Sequence, residues 1–177
     1  NDTAAYGWAE KEIGVLASKG VIDGTSDTTY APGKNISRAD FIVLLVRGLG
    51  LAAKADSNFS DVSADSYYYE AVGIAKKLGI TEGVGGNRFD PKAFVTRQDM
   101  MVLAGNAMRA AGKPAIAGDA GDLARFDDSS KIAAYAKTSI SSLVRDGIVQ
   151  GDGSLINPLG SATRAEAAVM IYRIYNK

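Results

Sequence analysis

The 177-residue sequence predicts an all-α protein built from three degenerate copies of one helix–loop–helix repeat. Three observations predict it. Paired glycines four residues apart recur as Gly20-Val21-Ile22-Asp23-Gly24, Gly79-Ile80-Thr81-Glu82-Gly83 and Gly147-Ile148-Val149-Gln150-Gly151. A polar tetrad follows each pair: Ser37-Arg38-Ala39-Asp40, Thr96-Arg97-Gln98-Asp99 and Thr163-Arg164-Ala165-Glu166. Ahead of each first glycine, apolar residues spaced i, i+4, i+7 lay a single stripe along a helix. They are Ala9, Ile13 and Leu16, then Tyr68, Val72 and Ala75, then Ala136, Ile140 and Leu143.

Each first helix opens near an aromatic twelve residues before its glycine: Trp8, Tyr67 or Tyr135. The glycine that ends the helix suits a left-handed C′ position. The apolar residue behind it (Val21, Ile80, Ile148) can fold back on the last turn as a Schellman ending requires. The second glycine of each pair (Gly24, Gly83, Gly151) reads as another positive-φ turn. Next come Tyr30-Ala31-Pro32, Phe89-Asp90-Pro91 and Ile156-Asn157-Pro158, and then the tetrads. Ser37, Thr96 and Thr163 fit the N-cap, with Asp40, Asp99 and Glu166 at N3, the pattern of a capping box. Glutamate reaches back farther than aspartate, so the third copy is expected to cap best. The runs 41–46, 100–104 and 167–172 are apolar nearly all round, which predicts burial.

The repeats are assigned to residues 1–54, 55–115 and 122–177. Gly- and Ala-rich connections join them, and the one over 110–125, with Gly112, Pro114, Gly118 and Gly121, reads as a long mobile insertion. A pair of helices buries too little surface to stand alone. One cooperative unit is therefore expected, its three first helices closing into a pseudo-threefold bundle.

Composition narrows the chemistry. There is no cysteine and no histidine, which removes disulfides, thiolate nucleophiles, imidazole metal sites and His-based triads. Twenty basic and twenty acidic residues balance, unlike a nucleic-acid binder. No apolar run approaches the roughly 20 residues of a membrane helix, so no membrane insertion is expected. The start at Asn1 reads as a processed or excised chain.

The tetrads point to a ligand. Arg38, Arg97 and Arg164 each stand at the first helical position, where the macrodipole favours acids. Free backbone N–H groups there would make an anion site, to which arginine adds a planar fork matched to carboxylate or phosphate. The alternative is an internal bridge to an acid of the same or a neighbouring repeat. Trp8, Tyr67 and Tyr135 have a similar duality. They are core anchors or platforms on which a sugar ring stacks. The triplet Tyr67-Tyr68-Tyr69 cannot all face inward.

The tetrads resemble the TRAE motif of the S-layer homology (SLH) domain family, and Phe59-Ser60-Asp61-Val62, the Gly-Ile-x-x-Gly turns and Phe89-Asp90-Pro91 match the same pattern. The likeness covers essentially the whole chain as three SLH repeats. It implies a three-pronged fold with a central three-helix bundle and grooves between repeats. It also implies a non-enzymatic anchor on the outer surface of a bacterium. The expected partner is an anionic secondary cell wall polysaccharide linked to peptidoglycan, often carrying pyruvylated N-acetylmannosamine, with neighbouring S-layer subunits as a second partner. The family's carboxylate-binding arginine maps to Arg38, Arg97 and Arg164, and its groove glycines map to Gly24, Gly83 and Gly151. No cofactor and no metal are implied. This chain departs from the family pattern in Ser37, Asp40, Gln98 and Asp99. The Phe-x-Asp-Val opening is clear only in the second copy, weaker at Phe126-Asp127-Asp128-Ser129, and not found in the first. The three grooves are thus expected to be unequal.

Two rival functions follow from the same residues. A surface-layer scaffold that binds no glycan would need the arginines tied up internally. A glycan hydrolase would use Asp40, Asp99 and Glu166 as its carboxylates, but their capping positions explain them better. The Asp- and Gly-rich loops lack the ligand spacing of a calcium-binding EF-hand.

Overall fold

Glycine stops each first helix. The computed structural model describes residues 2–26 and 28–177. In it α1 (Gly7–Ser18), α3 (Tyr69–Lys77) and α6 (Lys137–Arg145) run into Gly20, Gly79 and Gly147, whose φ values are 67°, 67° and 74°. Val21, Ile80 and Ile148 donate their N–H groups back to Leu16, Ala75 and Leu143 at 3.0, 2.8 and 2.9 Å. The glycine N–H groups bond one residue further on, which completes the Schellman pattern. The predicted stripes are buried, except that Tyr68 is only partly covered.

The second helices are α2 (Arg38–Gly48), α4 (Arg97–Ala110) and α7 (Arg164–Tyr175). Ser37, Thr96 and Thr163 accept the N3 N–H at 3.1 to 3.2 Å. Only Glu166 also returns the bond, accepting the Thr163 N–H at 2.9 Å, so the third copy closes a full capping box. Asp40 and Asp99 are one methylene too short and instead accept the Ser37 and Thr96 hydroxyls. The apolar runs behind these caps are buried as expected, with Phe41, Ile42, Leu45, Met100, Met101 and Ile171 nearly inaccessible.

The expected bundle of first helices is not what forms. The second helices take the centre, with α2 packed against both α4 and α7, and each first helix lies on the second helix of the preceding repeat. Thus α3 covers α2, α6 covers α4, and α1 covers α7, so the beginning and end of the chain meet. The stripe explains the choice. A helix with one apolar face can only cover another helix, whereas one apolar nearly all round must sit inside.

Backbone pairing closes the same ring. Ile36 donates to Ala162 at 2.9 Å, Ala162 to Val95 at 2.9 Å, and Val95 to Ile36 at 3.1 Å. The first two amides of each second helix then bond the proline loop of the next repeat: Arg38 and Ala39 to Ala93 and Pro91, Arg97 and Gln98 to Gly160 and Pro158, Arg164 and Ala165 to Lys34 and Pro32.

Each proline loop is clamped in turn. Ala31, Asp90 and Asn157 adopt left-handed backbone, with φ of 58°, 56° and 50°. That conformation costs a non-glycine residue about 1–3 kcal/mol. The cost is met by a carboxylate that accepts two successive N–H groups. Asp61 takes Phe89 and Asp90 (2.8 and 2.8 Å), and Asp128 takes Ile156 and Asn157 (2.9 and 2.8 Å). Asp2 takes Tyr30 and Ala31 (3.0 and 2.6 Å). The first repeat therefore does hold the aspartate of the Phe-x-Asp-Val opening, and Phe126 and Asp128 perform fully in the third.

The 110–125 segment is docked rather than loose. It holds a short helix, α5 (Ala120–Leu123), with an Asp119/Asp122 capping box, and Arg145 of α6 pairs with both carboxylates at 2.5 and 3.0 Å. Gly118 passes so close to the Ser141 backbone that a Cβ there would overlap it. No helix among the described residues is long and apolar enough to cross a membrane.

Two expectations follow. Because the ends of the chain lie in one core, thermal unfolding followed by circular dichroism should show a single transition, and Asp128→Ala should lower stability by about 2–4 kcal/mol through two lost charge-assisted bonds. Burial alone would raise the Asp61 carboxyl, but the Phe89 and Asp90 N–H groups and the Arg88 charge hold it below its usual value. A depressed carboxyl stabilises above its unfolded pKa and stops doing so as pH falls through its folded one. The stability gap between the unaltered chain and Asp61→Asn, read by urea denaturation, should be full above about pH 4 and close below it.

Candidate functional site

Arginine at the first position of a helix must find compensation, and all three find it across a repeat boundary. The Arg38 Nε donates to the Phe89 carbonyl at 2.9 Å, Arg97 Nε to Ile156 at 2.8 Å, and Arg164 Nε to Tyr30 at 2.8 Å. These carbonyls belong to the clamped proline loops. Arg38 also stacks on the Phe89 ring and Arg164 on the Tyr30 ring, with centroids 4.9 and 4.5 Å from the guanidinium carbon. One edge of each guanidinium thus serves the fold.

The helix amides do not form an anion site. The N1 and N2 groups bond the neighbouring proline loop and the N3 group bonds the capping hydroxyl, so the donors expected to be free are used. Beyond the Nε bonds, Arg97 pairs with Glu166 and Arg164 donates to the Asp23 carbonyl, while the amino groups of Arg38 have no hydrogen-bond partner among the described residues.

The predicted residues gather into three grooves, each drawing on all three repeats. The first groove holds Arg164, Tyr67 and Asp40, where the Tyr67 hydroxyl donates to Asp40 at 2.5 Å. The second holds Arg38, Tyr135 and Asp99, where the Tyr135 hydroxyl donates to Asp99 at 2.6 Å. The third holds Arg97, Trp8 and Glu166, where Arg97 pairs directly with Glu166. Trp8, Tyr67 and Tyr135 are 57%, 71% and 60% exposed, so they are not core anchors. Of the tyrosine triplet, Tyr67 and Tyr69 face out and Tyr68 is partly buried, its ring edge-on to Tyr67 at 5.0 Å.

The phenol tips nonetheless reach into the grooves. Burial, then the bond to Asp99, pushes the Tyr135 phenol up to about 12, against the pull of Arg38. Burial and the Asp40 bond raise Tyr67 in the same way, against Arg164. Both tyrosines therefore stay protonated donors at any physiological pH. Arg38 is the most enclosed of the arginines, at 9% exposure. Desolvation lowers its pKa, and the fields of Asp99, Asp90 and Asp61 oppose that shift.

The second glycines of the repeat are close-approach positions. A Cβ on Gly24, Gly83 or Gly151 would meet the Thr29, Arg88 or Leu155 carbonyl, the residue just before each arginine-binding carbonyl. Gly83 and Gly151 have φ of 80° and 78°, whereas Gly24 is not among the positive-φ glycines, so its turn differs from expectation.

Sequence reasoning missed two features of the site. Asp2 lacks the preceding phenylalanine that marks Asp61 and Asp128, and its signal is the spacing: it precedes Tyr30 by 28 residues just as Asp61 precedes Phe89 and Asp128 precedes Ile156. The tyrosine-to-acid bonds join different repeats and leave no mark in local spacing.

Residues 1–42, 58–101 and 125–168 each match the S-layer homology domain. Exoglucanase XynX of Acetivibrio thermocellus is 36% identical over 174 residues, covering 96% of this chain and 16% of that protein. The surface-layer 125 kDa protein of Lysinibacillus sphaericus is 32% identical over 171 residues, covering 94% and 14%. The S-layer protein of Bacillus licheniformis is 33% identical over 174 residues, covering 96% and 19%. The chain spans less than a fifth of the length of these relatives.

The two glycine types separate cleanly by experiment. Gly83→Ala combines strained φ with a collision against the Arg88 carbonyl and the Phe59 ring, whereas Gly86→Ala faces open space at φ 58°. Denaturant unfolding should show a loss of about 1 kcal/mol for Gly86→Ala and at least twice that for Gly83→Ala.

Proposed function

Because the chain belongs to the S-layer homology domain family, and with it has a cell-surface anchoring role, we propose that it anchors non-covalently by holding an anionic secondary cell wall polysaccharide in its inter-repeat grooves. Arg38 carries this reading. Its Nε is bonded to Phe89, while its terminal amino groups have no hydrogen-bond partner among the described residues and no carboxylate stands within ion-pair distance. Enclosing a cation this far without a direct counter-charge is costly. An anionic ligand repays that cost, and the guanidinium fork fits the paired oxygens of a carboxylate such as that of a pyruvate ketal.

The rest of the groove suits a sugar. Tyr135 offers a ring face for stacking, and Gly83 keeps the hairpin backbone tight behind the arginine. Arg164, Tyr67 and Gly24 repeat the arrangement, although there the Asp23 carbonyl takes one guanidinium amino group at 2.8 Å. In the third groove Arg97, Trp8 and Gly151 hold the same stations with the charge already met by Glu166. We assign catalysis to none of these residues. Asp40 and Asp99 each accept a tyrosine and a capping hydroxyl, and Glu166 is spent on its cap and on Arg97. S-layer subunits are the second proposed partner, over surface outside the grooves.

Bacterial wall sacculi, with and without chemical extraction of the secondary polymer, test the reading by co-sedimentation. Binding should be lost on extracted walls, and undiminished binding there would sink the polymer as ligand. Arg38→Ala combined with Arg164→Ala should reduce wall binding by more than tenfold. Each Nε bond also supports the fold, so these changes should cost about 1.5–3 kcal/mol apiece while leaving the chain folded at 25 °C. Full wall binding by the folded double variant would show that the arginines are structural only.

A further inference from the structure

The three grooves differ in one respect that reaches their chemistry. In the first and second, a tyrosine hydroxyl occupies one oxygen of the aspartate and the capping hydroxyl occupies the other. The acid is thereby held back from the groove's arginine. In the third, Trp8 replaces the tyrosine and has no hydroxyl to offer the acid. Glu166 is one methylene longer than aspartate, so one of its oxygens closes the cap while the other reaches Arg97.

Arg97 therefore differs in kind from Arg38 and Arg164, neither of which has a carboxylate within ion-pair distance among the described residues. Any anion entering the third groove must first displace Glu166 from a partly buried pair. The cleft itself is well formed. It measures about 570 Å³, inside the size range of small-molecule sites. Trp8 and Gly151 line it with Met100, Met101 and Met170, while Arg173 reaches its rim already bonded to the Ile148 carbonyl and the Gln150 side chain. Asp152 adds an exposed carboxylate to the wall, which accepts hydroxyls and repels anions.

Resting on the reading of the other two grooves as anion sites, we propose that the third groove takes an uncharged sugar ring, an N-acetylhexosamine or neutral hexose, stacked on Trp8 with its hydroxyls turned to Asp152. An indole face is the best aromatic platform for the C–H face of a pyranose, since it offers the largest apolar area. Paired charges do not select against a neutral ligand. The polymer then engages the protein through two kinds of residue, acidic units at Arg38 and Arg164 and a neutral unit at Trp8. Linking the modes in one chain raises avidity without new contacts.

Trp8 is the only tryptophan, so its fluorescence reports this groove alone. The chain is titrated with the methyl glycoside of N-acetylglucosamine and, separately, with methyl glucuronide. The neutral glycoside should give a saturable change in Trp8 emission at concentrations at least tenfold below any response to the glucuronide. Glu166→Gln keeps an N3 side chain able to cap but releases Arg97. It should improve the Trp8 response to glucuronide about tenfold, equivalent to about 1.4 kcal/mol, and its folding is checked by thermal melting.

A Trp8 response to glucuronide matching or exceeding that to the neutral glycoside in the unaltered chain would overturn the proposal. So would no response to the neutral glycoside, or no gain by folded Glu166→Gln. Calorimetry with glucuronide on the Arg38→Ala/Arg164→Ala chain reads the other two grooves independently. Heat unchanged by those substitutions would instead count against the anion-site reading.

Discussion

Three peptide hydrogen bonds, from Ile36 to Ala162, Ala162 to Val95 and Val95 to Ile36, close the molecule into a ring. Everything else depends on that closure. It brings the start of each second helix against the proline loop of the next repeat, so that the helix's first amides are satisfied by a neighbour rather than by water or a ligand. It also lets an apolar helix lie at the centre with a striped helix from the next repeat as its cover. No repeat contains its own complete core, and none contains a complete groove.

On the proposed reading, arginine at the helix start has two jobs, divided by edge. The Nε edge bonds a carbonyl of the next repeat and so belongs to the ring. The amino edge is left toward the groove, where its availability depends on what the adjacent acid is doing. A tyrosine hydroxyl and a short aspartate leave the arginine without a carboxylate partner, whereas a tryptophan and a longer glutamate give it one. A change of one methylene and one hydroxyl separates the two kinds of groove, and the same methylene lets only the third tetrad close a full capping box. On the proposed reading, fold and ligand recognition share residues, and substitutions at the arginines must be read for both.

Local features were legible in the sequence because their causes are local. A left-handed glycine, a capping hydroxyl three residues ahead of an acid, and an apolar stripe each depend on a few consecutive residues. The choice of which helix goes inside was also written there, since the second helices are apolar nearly all round, whereas the regular stripes of the first helices suit them only to cover a neighbour. Asp2 and the tyrosine-to-aspartate bonds depend on ring closure, which brings residues from different repeats together and has no signature in spacing along one repeat. The same closure consumed the helix amides that looked free when each helix was considered alone. The 110–125 segment looked mobile from its glycines and proline. Arg145 pins it through two carboxylates supplied by the segment itself.

The division of each arginine into a structural and a binding edge is tested most directly by nitrogen-15 NMR of the guanidinium groups during titration with solubilised secondary wall polymer. The expected result is that the Nη signals of Arg38 and Arg164 shift and become protected from exchange while all three Nε signals hold their positions. Unchanged Nη signals at saturating polymer, or Nε and Nη signals moving together, would contradict it.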